Sequence, residues 1–122
     1  CGYCMGGRTS LMVAGRLPDR VAAAASFHGG GLVTDTEDSP HLLADRMSAT
    51  VYVGGAKDDA SFTADHAEQL DKALTAAGVE HTIEWYPAGH GFAVPDNAPY
   101  DAAAAERHWE AMTEVFASAL PR

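Results

Sequence analysis

The segment Gly2-Tyr3-Cys4-Met5-Gly6, followed at once by Gly7, fits the pattern Gly-x-Ser-x-Gly with cysteine in the serine position. A nucleophile carried on a sharp strand-to-helix turn sits in strained backbone, and side chains two residues before and after it would collide there, so the pattern asks for glycine at both places. The turn also aims the first helical N–H groups and the positive helix end at the sulfur, which favours a thiolate and later an oxyanion. From Met5 the run through Ala14 reads as the helix that leaves this turn, with its stop at Gly15 ahead of Pro18. Two other readings share the same residues. Cys4 could be a buried structural residue whose glycines allow close packing, or Cys1 and Cys4 could form a redox Cys-x-x-Cys pair at a helix start.

The rest of the chain separates these readings. Val21 to Phe27 is a short apolar run closed by Gly29-Gly30-Gly31, suited to a strand buried on both faces. Thr34 to Asp38 reads as a solvated acidic turn, and Ser39-Pro40 opens a short helix to about Met47. Thr50 to Val53 is a second strand ending at Gly54-Gly55. Thr63 caps a helix with Ala67, Leu70, Ala73, Leu74 and Ala77 on one stripe, stopped by Gly78. His81 to Tyr86 alternates as a third strand, and from Pro99 the positions Ala105, Trp109, Met112, Phe116 and Leu120 recur at helical spacing. Helices alternating with strands imply right-handed crossovers and a parallel sheet, so the fold class is α/β. Three strands are few for such a sheet, whose mean is about five or six. Together with an opening on Cys1 rather than Met, this predicts one partial domain over 1–122, with an open sheet edge around Val21 to Phe27.

Acyl transfer from a cysteine demands an acid and then a histidine, each just after a strand. Asp58 and Asp59 stand in the loop after the second strand, and His90, between Gly89 and Gly91, stands in the loop after the third. In parallel sheets ligand chemistry gathers at the carboxyl ends of the strands, so Cys4, either acid and His90 are expected on one edge. His28, at the end of the first strand, reads as a polar residue meeting solvent, with a pocket-lining role as the alternative. His41, His66, His81 and His108 form no ligand pair, so no metal and no cofactor are expected. Trp85 and Trp109 read as core packing, and Glu106 with Arg107 as a solvated helix face.

The chain carries 8 basic and 17 acidic residues, a formal charge of −9, with 47% apolar residues. That balance suits a globular domain and excludes nucleic acid or an anionic membrane as default partners, because phosphate contacts need clustered Lys and Arg. No apolar run approaches the roughly 18–20 residues of a membrane span, and no signal-peptide pattern opens the chain, which points to a cytoplasmic location.

Gly-Tyr-Cys-Met-Gly-Gly at 2–7, Asp-Ala-Ser-Phe at 59–62 with its loop, and Pro-Ala-Gly-His-Gly-Phe at 87–92 together resemble the dienelactone hydrolase family of α/β-hydrolases. The stretch Tyr100 to Trp109 resembles that family's last helix, so the likeness spans essentially the whole chain. It implies a mostly parallel sheet of which this chain supplies the second half, from the nucleophile turn onward. It implies hydrolysis of a small-molecule ester or lactone by a triad of Cys4, His90 and Asp59, with the Met5 N–H as one oxyanion donor. The second donor, an upstream acid and a substrate-gripping arginine would belong to earlier sequence. Aligning forward from Ala60-Ser61-Phe62 selects Asp59 over Asp58. Val94 stands where members acting on dienelactone carry a second carboxylate-binding arginine, which implies a less charged substrate. A thiol-disulfide oxidoreductase using Cys1 and Cys4, and a non-catalytic remnant, are the alternatives.

Overall fold

Short apolar and β-branched runs become the strands of one sheet. In a computed structural model that describes residues 1–121, strands β1 (Gly2–Tyr3), β2 (Ala23–Phe27), β3 (Thr50–Ala56) and β4 (His81–Tyr86) lie in the order β1-β2-β3-β4. All three neighbouring pairs are parallel, in registers such as Tyr3 beside Phe27, Ser26 beside Val53 and Tyr52 beside Thr82. Helices α1 (Met5–Arg16), α2 (Ala64–Ala76) and α3 (Ala102–Ala119), with a 3-10 helix over Pro40–Arg46, complete the α/β architecture. The sheet has one strand more than the sequence predicts. β1 holds only two residues, too few to show any periodicity.

Successive residues of a strand point to opposite faces, and the core divides accordingly. Ala24, Val51, Val53 and part-buried Ile83 meet Leu11, Ala14, Leu70 and Leu74 on the side of α1 and α2. Ala25, Phe27, Tyr52 and Tyr86 meet Phe92, Ala104 and Ala111 on the side of α3. Burying each of the larger side chains contributes about 1.5–3 kcal/mol. The ends of α2 follow the sequence: Thr63 and His66 exchange a reciprocal capping box, and Gly78 takes φ +73°.

Several glycines turn out to be packing devices rather than stops. α1 runs through Gly15 to Arg16, because a Cβ at Gly15 would lie 2.5 Å from that of Leu43 on the 3-10 helix, so glycine lets the two helices touch. β3 likewise continues through Gly54 and Gly55 to Ala56. A Cβ at Gly54 would meet the Tyr86 ring at 2.8 Å, and one at Gly55 the Trp85 ring at 2.7 Å. The missing side chains make room for the aromatics of β4. The predicted helix after Ser39 forms as a 3-10 helix, and the Ser39 hydroxyl accepts from the Thr34 N–H at 2.8 Å instead of capping it.

The terminal helix presents a different face from the predicted stripe. Its buried residues are Ala104, Ala105, His108 and Ala111, whereas Trp109 is 54% and Leu120 45% exposed. Small residues bring α3 close to the sheet. His108 fills a core position because both ring nitrogens are satisfied: Nδ1 donates to the Ala105 carbonyl at 2.6 Å, and Nε2 accepts from the Tyr3 hydroxyl at 2.7 Å. Trp85 is also 45% exposed, lying on edge strand β4 against Phe62 with ring centroids 5.5 Å apart. Arg107 does not simply face solvent. Its Nε and Nη2 each donate to Glu84 at 2.9 Å, and the Tyr52 hydroxyl, 2.7 Å from that of Tyr86, donates to the same carboxylate at 2.9 Å. Asp38 of the acidic turn pairs with Arg8 at 3.3 Å.

Between β1 and β3, Ser26 and Phe27 of β2 are paired on both sides, while Ala23 to Ala25 have a partner only in β3. An open groove of about 430 Å³ lies beside that uncovered part, lined by Cys1, Val13, Val21, Ala23 and Ala24 among others. The expected open edge over Val21–Phe27 thus narrows to its first half. Among the described residues no helix is long and apolar enough to cross a membrane.

Tyr52 is 2% exposed and its hydroxyl links Tyr86 to Glu84. Tyr52→Phe should therefore destabilise the fold by about 1–2 kcal/mol in urea titrations, the typical cost of stranding a buried partner. Tyr100→Phe, at a 40% exposed position, should leave the midpoint unchanged.

Candidate active site

Cys4 occupies the turn between β1 and α1 with φ 55° and ψ −119°, a left-handed conformation costly for any residue but glycine. Its N–H donates to the Phe27 carbonyl at 3.2 Å, and its carbonyl accepts from the Gly7 N–H at 3.0 Å. The glycines act unequally. A Cβ on Gly2 would run into the carbonyl of Gly6, and one on Gly7 into the Ser26 hydroxyl and to 3.1 Å from the Gly29 Cα, whereas a Cβ on Gly6 would meet nothing within 4 Å. The expected clash two residues after Cys4 is therefore absent, and the tight contact belongs to Gly7. Met5 begins α1, so its N–H is among the four that a helix leaves without an internal acceptor, next to the sulfur. Its side chain is 80% exposed.

The loops after β3 and β4 are tied together by the Lys57 N–H, which donates to the Ala88 carbonyl at 2.8 Å. Across this junction Asp59 Oδ2 lies 2.6 Å from His90 Nδ1, while Oδ1 accepts from the Ser61 N–H at 2.9 Å and the Ser61 hydroxyl at 2.5 Å. Burial pushes the Asp59 carboxyl up, but the hydrogen bonds from Ser61 and His90 outweigh it and hold the group below its ordinary range. Asp58, at φ 55°, is exposed and takes no part in this bond. Gly91 takes φ +94° beside Asn97, which turns the chain after His90 back toward the sheet. Val94 sits half-buried further along the same loop.

Cys4 Sγ and one ring nitrogen each from His28 and His90 lie within 4.8 Å of one another. Because His90 Nδ1 is engaged by Asp59, Nε2 is the nitrogen left for the sulfur. The Cys4 thiol is pushed up by its burial and by the negative charge of Asp59. Sulfur and two imidazoles are donors that zinc accepts, three in number as in catalytic rather than structural zinc sites, and the same arrangement also suits a nucleophile beside its base.

His28 departs from expectation. It is fully buried rather than solvent-facing, at φ 39°, with Nδ1 3.3 Å from Cys4 Sγ. The loop that carries it folds under the active edge because Arg8 donates to the Gly31 carbonyl at 2.7 Å and Gly29 packs on Ser26. A signal was present: His28 ends a buried strand on the same carboxyl edge as the other two sites. The remaining histidines serve structure. His66 completes the α2 cap, His41 meets the Ser39 hydroxyl at 2.5 Å, and His81 meets Asp71 at 2.7 Å. Both cysteines are free, and Cys1 lies ahead of β1 whereas Cys4 follows it.

The model of the dienelactone hydrolase family matches residues 1–120. A Synechocystis sp. protein named "Putative carboxymethylenebutenolidase" is 33% identical over 123 residues, covering 98% of this chain and 49% of that protein. The solved structure of a Klebsiella pneumoniae subsp. pneumoniae protein titled "Putative Dienelactone Hydrolase" superimposes with a TM-score of 0.85 at 31% identity, covering 95% of this chain and 50% of that one. A dienelactone hydrolase-like promiscuous phosphotriesterase from metagenomic libraries superimposes with a TM-score of 0.80 at 27% identity, over 97% of this chain and 50% of that one. The chain spans about half the length of these relatives. With the strained turn at Cys4, the strand order and the family match in agreement, the chain belongs to the dienelactone hydrolase family.

Proposed function

We propose that this chain is the second half of an α/β-hydrolase domain and carries the reacting groups of a carboxylic ester or lactone hydrolase: Cys4 as nucleophile, His90 as base and acid, and Asp59 as the group that orients His90. The observation that carries this reading is the 2.6 Å bond between Asp59 and His90 Nδ1, on the edge where Cys4 sits in a strained turn. The Cys4 proton passes to His90 Nε2 as the sulfur bonds to the substrate carbonyl carbon, and Asp59 stabilises the imidazolium that results. The carbonyl oxygen becomes an oxyanion facing the Met5 N–H; loss of one such donor in general costs about 10²–10³ in rate. Collapse expels the alcohol oxygen, which takes the proton from His90 and leaves an acyl thioester. Water then gives a proton to His90 and bonds to the acyl carbon, and release of the acid returns the sulfur and the proton to their starting places.

Family membership supports a small-molecule ester or lactone as substrate, and the chemistry needs no cofactor. Val94, apolar beside the histidine loop, favours a less charged substrate than dienelactone. The disulfide reading is weaker, since a redox pair needs both sulfurs on one helical turn and Cys1 precedes β1.

In the full-length protein, Cys4→Ala should abolish hydrolysis of a p-nitrophenyl ester while Cys1→Ala keeps most of it; equal losses would favour the disulfide reading. Asp59→Asn should lower kcat by about 10³–10⁴, the scale seen when a triad acid can no longer hold the right tautomer. Asp58→Asn should stay near wild type, and a reversal of the two in steady-state kinetics would move the acid to Asp58.

A further inference from the structure

His28 carries three costs at once. Its backbone is left-handed at φ 39°, its side chain is fully buried, and among the described residues its Nε2 has no hydrogen-bond partner. Residues in such backbone persist only where the surroundings over-determine them, and a buried unpaired nitrogen needs an explanation. Packing does not supply one. The ring meets Phe92 edge-on at 4.8 Å, His90 at 5.5 Å and Tyr3 at 5.8 Å between centroids, contacts that a phenylalanine would make without stranding a polar atom. What imidazole adds is Nδ1, 3.3 Å from Cys4 Sγ.

We propose that His28 is a positioning residue for the nucleophile: its Nδ1–H donates to Cys4 Sγ, holding the sulfur in one rotamer beside His90 and favouring thiolate over thiol. This rests on the reading of Cys4 as nucleophile. The surroundings select the tautomer. Burial first, then the neighbouring His90 and more weakly His108, pull the His28 imidazole down to about 4 against the opposing effects of a hydrogen bond with its own backbone and, least, of Asp59, so near neutral pH the ring carries a single N–H. On Nε2 that hydrogen would be a buried donor facing no acceptor; on Nδ1 it meets the sulfur. His28 takes no proton during the reaction. The Cys4 proton goes to His90, and the N–H of His28 stays in place to offset the burial and the Asp59 charge that disfavour the thiolate.

The pH profile of Cys4 alkylation by iodoacetamide, in full-length protein carrying Cys1→Ala, reads this bond without any ester substrate. His28→Phe should move the midpoint up by about one unit and slow alkylation at pH 7 about tenfold. His28→Asn, whose side-chain N–H sits near the place of Nδ1, should restore most of the reactivity, and His28→Gln should not. A folded His28→Phe protein with the wild-type profile would overturn the proposal, even if its ester hydrolysis fell. Histidine ¹⁵N NMR of the unsubstituted protein gives a second test that no folding failure can remove: a protonated Nδ1 on His28 is expected, and a protonated Nε2 would overturn it. If Cys4→Ala retained hydrolysis, the reading of Cys4 as nucleophile would fall, while the alkylation profile of protein that keeps Cys4 still decided the His28–Cys4 bond.

Discussion

Cys4 stands in a left-handed backbone at φ 55°, and most of the molecule is arranged so that this one turn is tolerable. Strand β1 and helix α1 meet there at a distance that no Cβ on Gly2 could allow. The helix then descends onto β2 with Gly7 against Ser26 and Gly29, so the small residues of the next strand and loop are set by the first. Unfavourable backbone of this kind costs on the order of 1–3 kcal/mol, and it is offset by packing elsewhere. The offset is visible in the buried Leu11 and Ala14 of α1, which anchor the helix away from the strained residue.

The same constraint explains why three loops converge. Parallel strands end on one edge, and here each end carries a polar group: Cys4 before α1, His28 after β2, and Asp59 and His90 after β3 and β4. Convergence alone gives proximity, not registration. The backbone bond from Lys57 to Ala88 holds the last two loops together, and Ser61 fixes the carboxylate that holds His90. Asp59 and His90 are thus held in place from both sides, by Ser61 and by the junction of their two loops.

Elements with local signatures were legible in the sequence. Thr63 and Gly78 bound α2, the alternation of His81 to Tyr86 gives β4 with its ends, and glycine spacing marks the turn at Cys4. What escaped depends on distant partners. Gly54 and Gly55 look like a stop until the rings of Tyr86 and Trp85 are seen to need their space. The buried face of α3 is set by small residues and by a histidine with two partners, one of them 105 residues away, so choosing the largest apolar side chains picks the wrong face. Arg107 reads as solvated until Glu84, 23 residues away, is found across from it. For His28 the decisive fact is the path of a glycine-rich loop, which no period encodes.

The position of His90 depends on how its loop is anchored at both ends, and the strengths of those anchors differ. At the helix end, Asp101 accepts from the Ala104 N–H at 2.8 Å, and its own N–H donates to the Phe92 carbonyl at 3.1 Å. At the strand end, the Glu84–Arg107 pair is partly exposed, and exposed ion pairs contribute about 0–1 kcal/mol after screening. The stacked rings of Tyr86 and Phe92, 4.7 Å apart and both nearly inaccessible, add area burial and roughly 0.5–1.5 kcal/mol of ring geometry besides. Phe92 lies two residues beyond His90, so aromatic packing contributes more than the exposed Glu84–Arg107 pair to holding the loop whose imidazole Asp59 meets.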